Sequence, residues 1–253
     1  GVYKGRKVTN LKSFAVGDNN FPNTALIATI TATWIGGGST VGIIEEVYSS
    51  GIIWFFIFLG AVVEILIFQL FSGRIIKFKG FLSVAEILGA WYGKPARVIG
   101  GICAVSLSIG LIGAQIAVIG QVCYEFFNIP PNIGILIAAG IVVLYSTFGG
   151  IQSVTVTDII QLAFFMAAMP IVASVIIDSA GGYKELSQGL PRDHLHIINS
   201  YGSLREYFWL FVFFTIPSFD ACLIQRTLMA KDKAQIKECF KTTAFIMAMF
   251  YAL

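Results

Sequence analysis

Three consecutive glycines, Gly36, Gly37 and Gly38, interrupt an apolar run of this chain and indicate its chemistry. Each glycine weakens an α-helix by about 1 kcal/mol relative to alanine, so the run predicts a helix that opens partway along its length. Carbonyl oxygens freed at such a break can bind a cation, and the flanking Trp34 and Ser39 could contact a small molecule. Close helix packing is the alternative, but three glycines in succession exceed what packing needs.

Glu64 is a second residue that could do chemistry, because it lies among apolar residues in the sequence Val62-Val-Glu-Ile-Leu-Ile67. A carboxylate inside a membrane helix costs several kcal/mol unless it is protonated, paired or hydrated. One hypothesis is a proton-coupling or cation-substrate carboxylate that faces the broken helix. The other is a protonated glutamate that is hydrogen-bonded to a neighbouring helix.

Three further residues place polar or helix-breaking groups in apolar segments: Gln115, Asp158 and Pro217. Gln115 is a candidate for the binding site of a small molecule. Asp158 is either an ion ligand or a carboxylate favoured by the dipole at a helix start. Pro217 interrupts a later apolar run, and its pairing with the glycine break favours a cavity over a simple kink.

The composition places these residues in a membrane protein. The 253 residues are 57% hydrophobic and 12% charged, whereas soluble domains carry roughly 25% charged residues. The net charge of +3 does not indicate nucleic-acid binding, because the basic residues lie in short loops between apolar segments. The expected surroundings are therefore a lipid bilayer.

Seven apolar segments are predicted to cross that bilayer, and the second is close to the ~20 residues that a span requires. They cover 24–47 with the break at Gly36, 52–71, about 98–127, 133–148, 154–177 with a kink near Pro170, 207–224 with an interruption at Pro217, and a segment that starts near 242. An amphipathic connector covers 83–97. The absence of an initiator methionine and the apolar last residues lead us to expect a fragment of a longer protein.

Orientation follows from charge. If the segment before the first span is cytoplasmic and the spans alternate, 14 of the 17 lysines and arginines fall on the cytoplasmic side. We therefore expect an integral, multi-pass protein of the plasma membrane, the inner membrane in a bacterium, with its N-terminal segment in the cytoplasm.

The two interrupted spans are the first and the sixth. Interruptions at corresponding positions of two halves indicate an inverted-repeat transporter, whose site lies at the breaks. This predicts a single all-α membrane domain over 1–253, with 24–177 as the first five-helix repeat and 206–253 as the start of the second.

Four passages resemble the sodium/solute symporter family, at residues 32–42, 113–120, 149–161 and 224–231. The most specific is the third, which places Thr-Asp-x-x-Gln, ending at Gln161, shortly after Gly149-Gly150. The run Thr31-Ala-Thr-Trp34 before the glycines looks most like the choline-transporter branch.

The resemblance implies a fold and a set of ligands. The fold is the LeuT-type core of five plus five helices. The carbonyls of Ala32 and Ile35 would hold sodium, Asp158 would lie near a second sodium, and the remaining ligands would come from an eighth core helix.

The sequence leaves the identity of the solute open. Ser39 stands where sugar-transporting members carry glutamine, and Asp220 stands where the choline branch carries tryptophan. The solute-binding candidates are Trp34, Gly36, Gly37, Ser39, Gln115 and Asp220.

These features together predict sodium-coupled uptake of a small polar organic solute by alternating access. An amino acid such as proline, a choline-like cation, a vitamin or a sugar would each fit. No nucleophile–base pair or phosphate loop is present in the sequence, so we expect no enzyme and no cofactor besides the coupling ion. A sensor domain of a signalling protein, a proton-coupled transporter that uses Glu64, and an inactive scaffold remain as alternatives.

Overall fold

A computed structural model describes residues 10–17, 20–196, 203–217 and 220–253, and its regular elements in these ranges are helices. The helices are α1 Leu11–Val16, α2 Asn23–Trp34, α3 Gly37–Ser50, α4 Ile53–Ile75, α5 Val84–Tyr92, α6 Lys94–Phe127, α7 Pro131–Ser179, α8 Tyr183–Gly189, α9 Leu204–Thr215, α10 Ala221–Met229 and α11 Lys233–Ala252. The predicted all-α fold is confirmed.

Helices α4, α6 and α7 are each long and apolar enough to span a bilayer, and α2 and α3, which are bent by 48°, are long and apolar enough when taken together. Helix α7 has 49 residues, which corresponds to about 70 Å and exceeds twice the ~30 Å hydrocarbon core. Its backbone leaves helical geometry at Gly150, with φ 54° and ψ −158°. Helix α7 therefore contains the predicted fourth and fifth spans, which meet at Gly150. At Pro170, where the sequence predicts a kink, φ and ψ stay helical.

The last two spans begin and end differently from the prediction. Helix α10 continues to Met229, and α11 starts at Lys233 rather than near residue 242. Asp232 caps α11, because its side chain accepts a hydrogen bond of 2.8 Å from the Gln235 amide. The prediction followed the apolar run alone and missed the charged first turns of this helix.

The core joins helices from both predicted repeats. Helix α4 packs on α11 and α9, and α2 packs on α7 and α11. Leu26 of α2, Ile65 of α4 and Phe240 of α11 are fully buried in one hydrophobic cluster. In the predicted inverted repeat, α4 would correspond to α11 and α2 to α9, so the packing of α4 on α9 would mirror that of α11 on α2. The outer faces of α6 and α7 expose apolar side chains, which suits contact with lipid.

Residues 10–17, here called the strap, tie the two repeats together at one end of the bundle. Asn10 caps α1 by accepting a hydrogen bond of 2.7 Å from the Ser13 amide. Gln225 of α10 donates a hydrogen bond of 2.7 Å from Nε2 to the carbonyl oxygen of Ala15. Phe14 lies against Gly150, where α7 bends. The strap thus links the bend of the first repeat to a helix of the second.

Replacing Gly150 by alanine should loosen the strap and destabilise the protein. An alanine Cβ would lie 2.9 Å from the Phe14 carbonyl oxygen, and the backbone conformation is one that essentially only glycine adopts, at a cost of about 1–3 kcal/mol. We expect a lower midpoint of thermal unfolding in detergent. Gly140→Ala in the same helix is the control, because its Cβ would meet nothing within 4 Å. Equal midpoints for the two variants would contradict the predicted strain.

Candidate functional site

The first span is broken at Ile35 and Gly36. Helix α2 ends at Trp34, Ile35 has φ −99° and ψ 98°, and Gly36 has φ −134° and ψ 172°. Helix α3 then starts at Gly37. The predicted break is present, but it covers only the first glycine of the run, since Gly37 already belongs to the next helix.

The break frees the two carbonyl groups that the family resemblance assigns to sodium. The Ala32 carbonyl would normally accept from the Gly36 amide, but that amide donates to Ser39 Oγ at 3.0 Å. Nε2 of Gln161 donates to the Ile35 carbonyl oxygen at 3.3 Å. A carbonyl oxygen has two lone pairs, so Ile35 can accept from Gln161 and still face a cation.

The Ser39 hydroxyl is hydrogen-bonded to the backbone at the break and is not free. Besides accepting from Gly36, its Oγ lies 2.9 Å from the Trp34 carbonyl oxygen and 3.0 Å from the Gly36 carbonyl oxygen. The hydroxyl therefore satisfies backbone groups that the helix can no longer satisfy. Trp34 differs, because its buried indole nitrogen has no hydrogen-bond partner in the part of the chain that the structure describes.

Gln115 of α6 lies directly against the break. A Cβ added to Gly36 would lie 2.5 Å from Gln115 Nε2 and 2.9 Å from Oε1. A Cβ on Gly37 would lie 3.5 Å from the same Oε1. The third span thus brings the carboxamide of Gln115 to the exposed backbone of the break.

Asp158 of α7 faces the preceding turn of α2. Its Oδ2 accepts a hydrogen bond of 2.5 Å from Thr29 Oγ1, and Thr29 lies one turn before Ala32. Asp158 also interacts electrostatically with Arg226 of α10. Both charged side chains are buried, at 9% and 8% exposure.

Two residues that interact with Asp158, Thr29 and Arg226, were not predicted as site residues from the sequence. Arg226 enters the sequence prediction only as one of the basic residues that set the orientation, and Thr29 is not among the predicted site residues. Arg226 follows Gln225 in one of the four family-like passages, which was the available signal. Its buried Nε has no partner within the described ranges.

The second interruption lies between α9 and α10. Ile216 leaves helical geometry with φ −71° and ψ 119°, and Pro217 follows it. Asp220, a predicted solute ligand, caps α10, because its Oδ1 accepts a hydrogen bond of 2.8 Å from the Leu223 amide. One of its carboxylate oxygens is therefore committed to the helix start.

Comparisons with known proteins identify the family of this chain. The profile described as "Sodium:solute symporter family" matches residues 14–253. The high affinity choline transporter 1 of Homo sapiens is 30% identical over 139 residues, which is 53% of this chain and 23% of that protein. The sodium/glucose cotransporter of Vibrio parahaemolyticus is 25% identical over 270 residues, or 96% of this chain and 48% of that protein.

The fold has a close counterpart among solved structures. A substrate-bound, outward-open Na+-coupled sialic acid symporter superimposes with a TM-score of 0.82 at 18% identity, over 99% of this chain and 56% of that one. This similarity establishes the fold. The chain spans a half or less of the length of the two curated relatives above.

Proposed function

Because the chain belongs to the sodium:solute symporter family and is an integral membrane protein, we propose that it carries the core of a sodium-coupled transporter for a small polar organic solute. The break at Ile35 and Gly36 is the observation that carries the proposal. It exposes backbone carbonyls near the middle of a span, where such groups persist only if they line a cavity or are buried in protein.

Sodium is proposed to bind the carbonyl oxygens of Ala32 and Ile35. The Ala32 carbonyl has lost its amide partner to Ser39, and Gln161 holds the Ile35 carbonyl from α7. Asp158 adds a negative charge about one turn further along α2, where it is proposed to assist a second sodium. Sodium is the coupling ion, and the transport cycle requires no other cofactor.

The solute is proposed to occupy the space beside Gly36 and Gly37. The Gln115 carboxamide offers a donor and an acceptor there, and the Trp34 indole, whose buried N–H has no partner in the described residues, is proposed to add an aromatic face and a donor. An amino acid such as proline or a choline-like cation would match this combination, since aromatic faces attract cations. Asp220 would contribute its second carboxylate oxygen, and Ser39 would shape the break.

Coupling follows from the position of the ion at the joint between repeats. An ion that binds one orientation of the repeats more tightly shifts the population towards that orientation. The N-terminal end is proposed to be cytoplasmic, because the basic connectors gather there, for example where Lys79 Nζ donates to the Lys231 carbonyl oxygen at 2.8 Å. In a bacterium this would be the inner membrane.

The test is solute uptake by the full-length protein in proteoliposomes. An inward sodium gradient should drive accumulation of one solute in a panel of amino acids, choline-like cations, vitamins and sugars, and a potassium gradient should not. The same solute should raise the thermal unfolding midpoint only with sodium present, because a ligand stabilises the state it binds. Uptake that ignores sodium and follows a proton gradient would refute the sodium assignment.

A further inference from the structure

Glu64 is not explained by the ion and solute site described above. It lies halfway along α4, eleven residues after Ile53 and eleven before Ile75, and is only 4% exposed. A carboxylate at this depth of a membrane span is costly and usually serves a function. Secondary transporters bind their ions near this level of the bilayer.

Glu64 lies one turn beyond the contact of α4 with the end of α9, next to the second interruption, whereas one hypothesis from the sequence placed it opposite the broken first span. Gly60, one turn earlier on the same face of α4, approaches the last turn of α9, where an added Cβ would lie 3.1 Å from Thr215 Oγ1. Side chains of a helix point back towards its N-terminus, so the Glu64 side chain extends to the level of Gly60. From α11, the Tyr251 ring lies 6.2 Å from the ring of Phe58, two residues before Gly60 on α4.

The last turn of α9 offers carbonyl oxygen atoms close to the Gly60 contact. The Phe213 carbonyl cannot accept the usual helical hydrogen bond, because its donor would be the amide of Pro217, which carries no hydrogen. The last carbonyls of α9 also form the negative end of a helix dipole. The negative end of a helix repels the charge of a nearby carboxylate. A bound cation would offset the carboxylate charge and the negative end of the dipole together.

We propose that Glu64 supplies the charge of a further sodium site at the interruption between α9 and α10. The carbonyl oxygens at the end of α9 and the Tyr251 hydroxyl complete its oxygen ligands. Unwound carbonyls and the C-terminal ends of half-helices are the groups that coordinate sodium in broken transporter helices. The site rests on the proposed sodium-coupled function and adds an ion to those at Ala32, Ile35 and Asp158.

The experiment measures initial uptake rates against sodium concentration for the full-length protein in proteoliposomes. The Hill coefficient for sodium cannot exceed the number of coupled sites, so Glu64→Gln should lower it by up to about one. The sodium concentration for half-maximal rate should also rise several-fold. Tyr251→Phe should raise that concentration and leave the Hill coefficient unchanged. Glu45→Gln, the same change at an exposed carboxylate of α3, should alter neither.

Folding is followed by the thermal unfolding midpoint of each purified variant. If Glu64→Gln does not fold, Glu64→Asp replaces it, because it keeps the charge on a shorter side chain. Glu64→Asp should retain the wild-type Hill coefficient and need more sodium for half-maximal rate. An unchanged half-maximal concentration would then overturn the site.

Two results with a folded Glu64→Gln variant would overturn the inference. One is a sodium activation curve identical to that of the wild type. The other is an unchanged sodium curve with an altered pH profile, which would make Glu64 a proton carrier. If instead wild-type uptake does not depend on sodium, the proposed function itself fails, so the two failures are distinguishable.

Discussion

Replacing Asp158 by asparagine is expected to reduce sodium-dependent uptake at least about tenfold and to lower the stability of the protein. The change removes the charge that faces Arg226 and weakens the acceptor of the Thr29 hydroxyl. Removing one partner of a closely paired buried ion pair costs about 3–5 kcal/mol. Within its described ranges the structure contains one direct salt bridge, Arg97–Glu86, so Asp158 and Arg226 are further apart than a direct ion pair. We therefore expect a smaller loss of folding stability, about 1–3 kcal/mol.

The control for this prediction is Asp178→Asn, at the exposed C-terminal end of α7. It should leave both uptake and the unfolding midpoint unchanged. The double variant Asp158→Asn with Arg226→Gln tests the cause. If the uncompensated guanidinium is responsible, the double variant should be less destabilised than the sum of the single variants. Additive effects would show that the two side chains act independently.

Gly36→Ala should raise the KM for the solute about tenfold without lowering the unfolding midpoint. Alanine accepts the extended backbone of Gly36, so no conformational strain arises. Its Cβ would collide with the Gln115 carboxamide, which is the end of a flexible side chain and can move away. The loss of one hydrogen bond to the solute, about 1.4 kcal/mol, corresponds to a tenfold change in affinity.

Gly42→Ala is the matched control from the same glycine-rich stretch, because its Cβ would meet nothing within 4 Å. Its KM should equal that of the wild type. In a Gln115→Ala background, Gly36→Ala should have little further effect, since the displaced group is already absent. An unchanged KM in the Gly36→Ala single variant would remove Gln115 from the solute site.

The sequence predicted the helix breaks because their causes are local. Gly36 and Pro217 disfavour helix through their own backbone chemistry, and apolar runs of sufficient length identify the spans between them. The start of α11 was missed because its first turns are charged and its cap depends on Asp232. Apolar content alone does not reveal such a helix start.

The contacts that build the site could not be predicted in the same way. Gln161 reaches Ile35 across 126 positions of sequence, and Thr29 reaches Asp158 across 129. Such pairs depend on how α2 packs against α7, which no local pattern specifies. The family resemblance supplied Ala32, Ile35 and Asp158, but not the groups that hold them in place.

The strap has a mechanical consequence for the alternating access proposed above. It holds the bend of α7 and the helix α10 at the same time, through Phe14 against Gly150 and through Gln225 on Ala15. A rotation of one repeat against the other at this end must stretch one of these contacts. A hydrogen bond worth about 1 kcal/mol would change the ratio of the two orientations roughly fivefold. In the proposed transport cycle, the strength of the strap would therefore set how often the empty protein opens at this end.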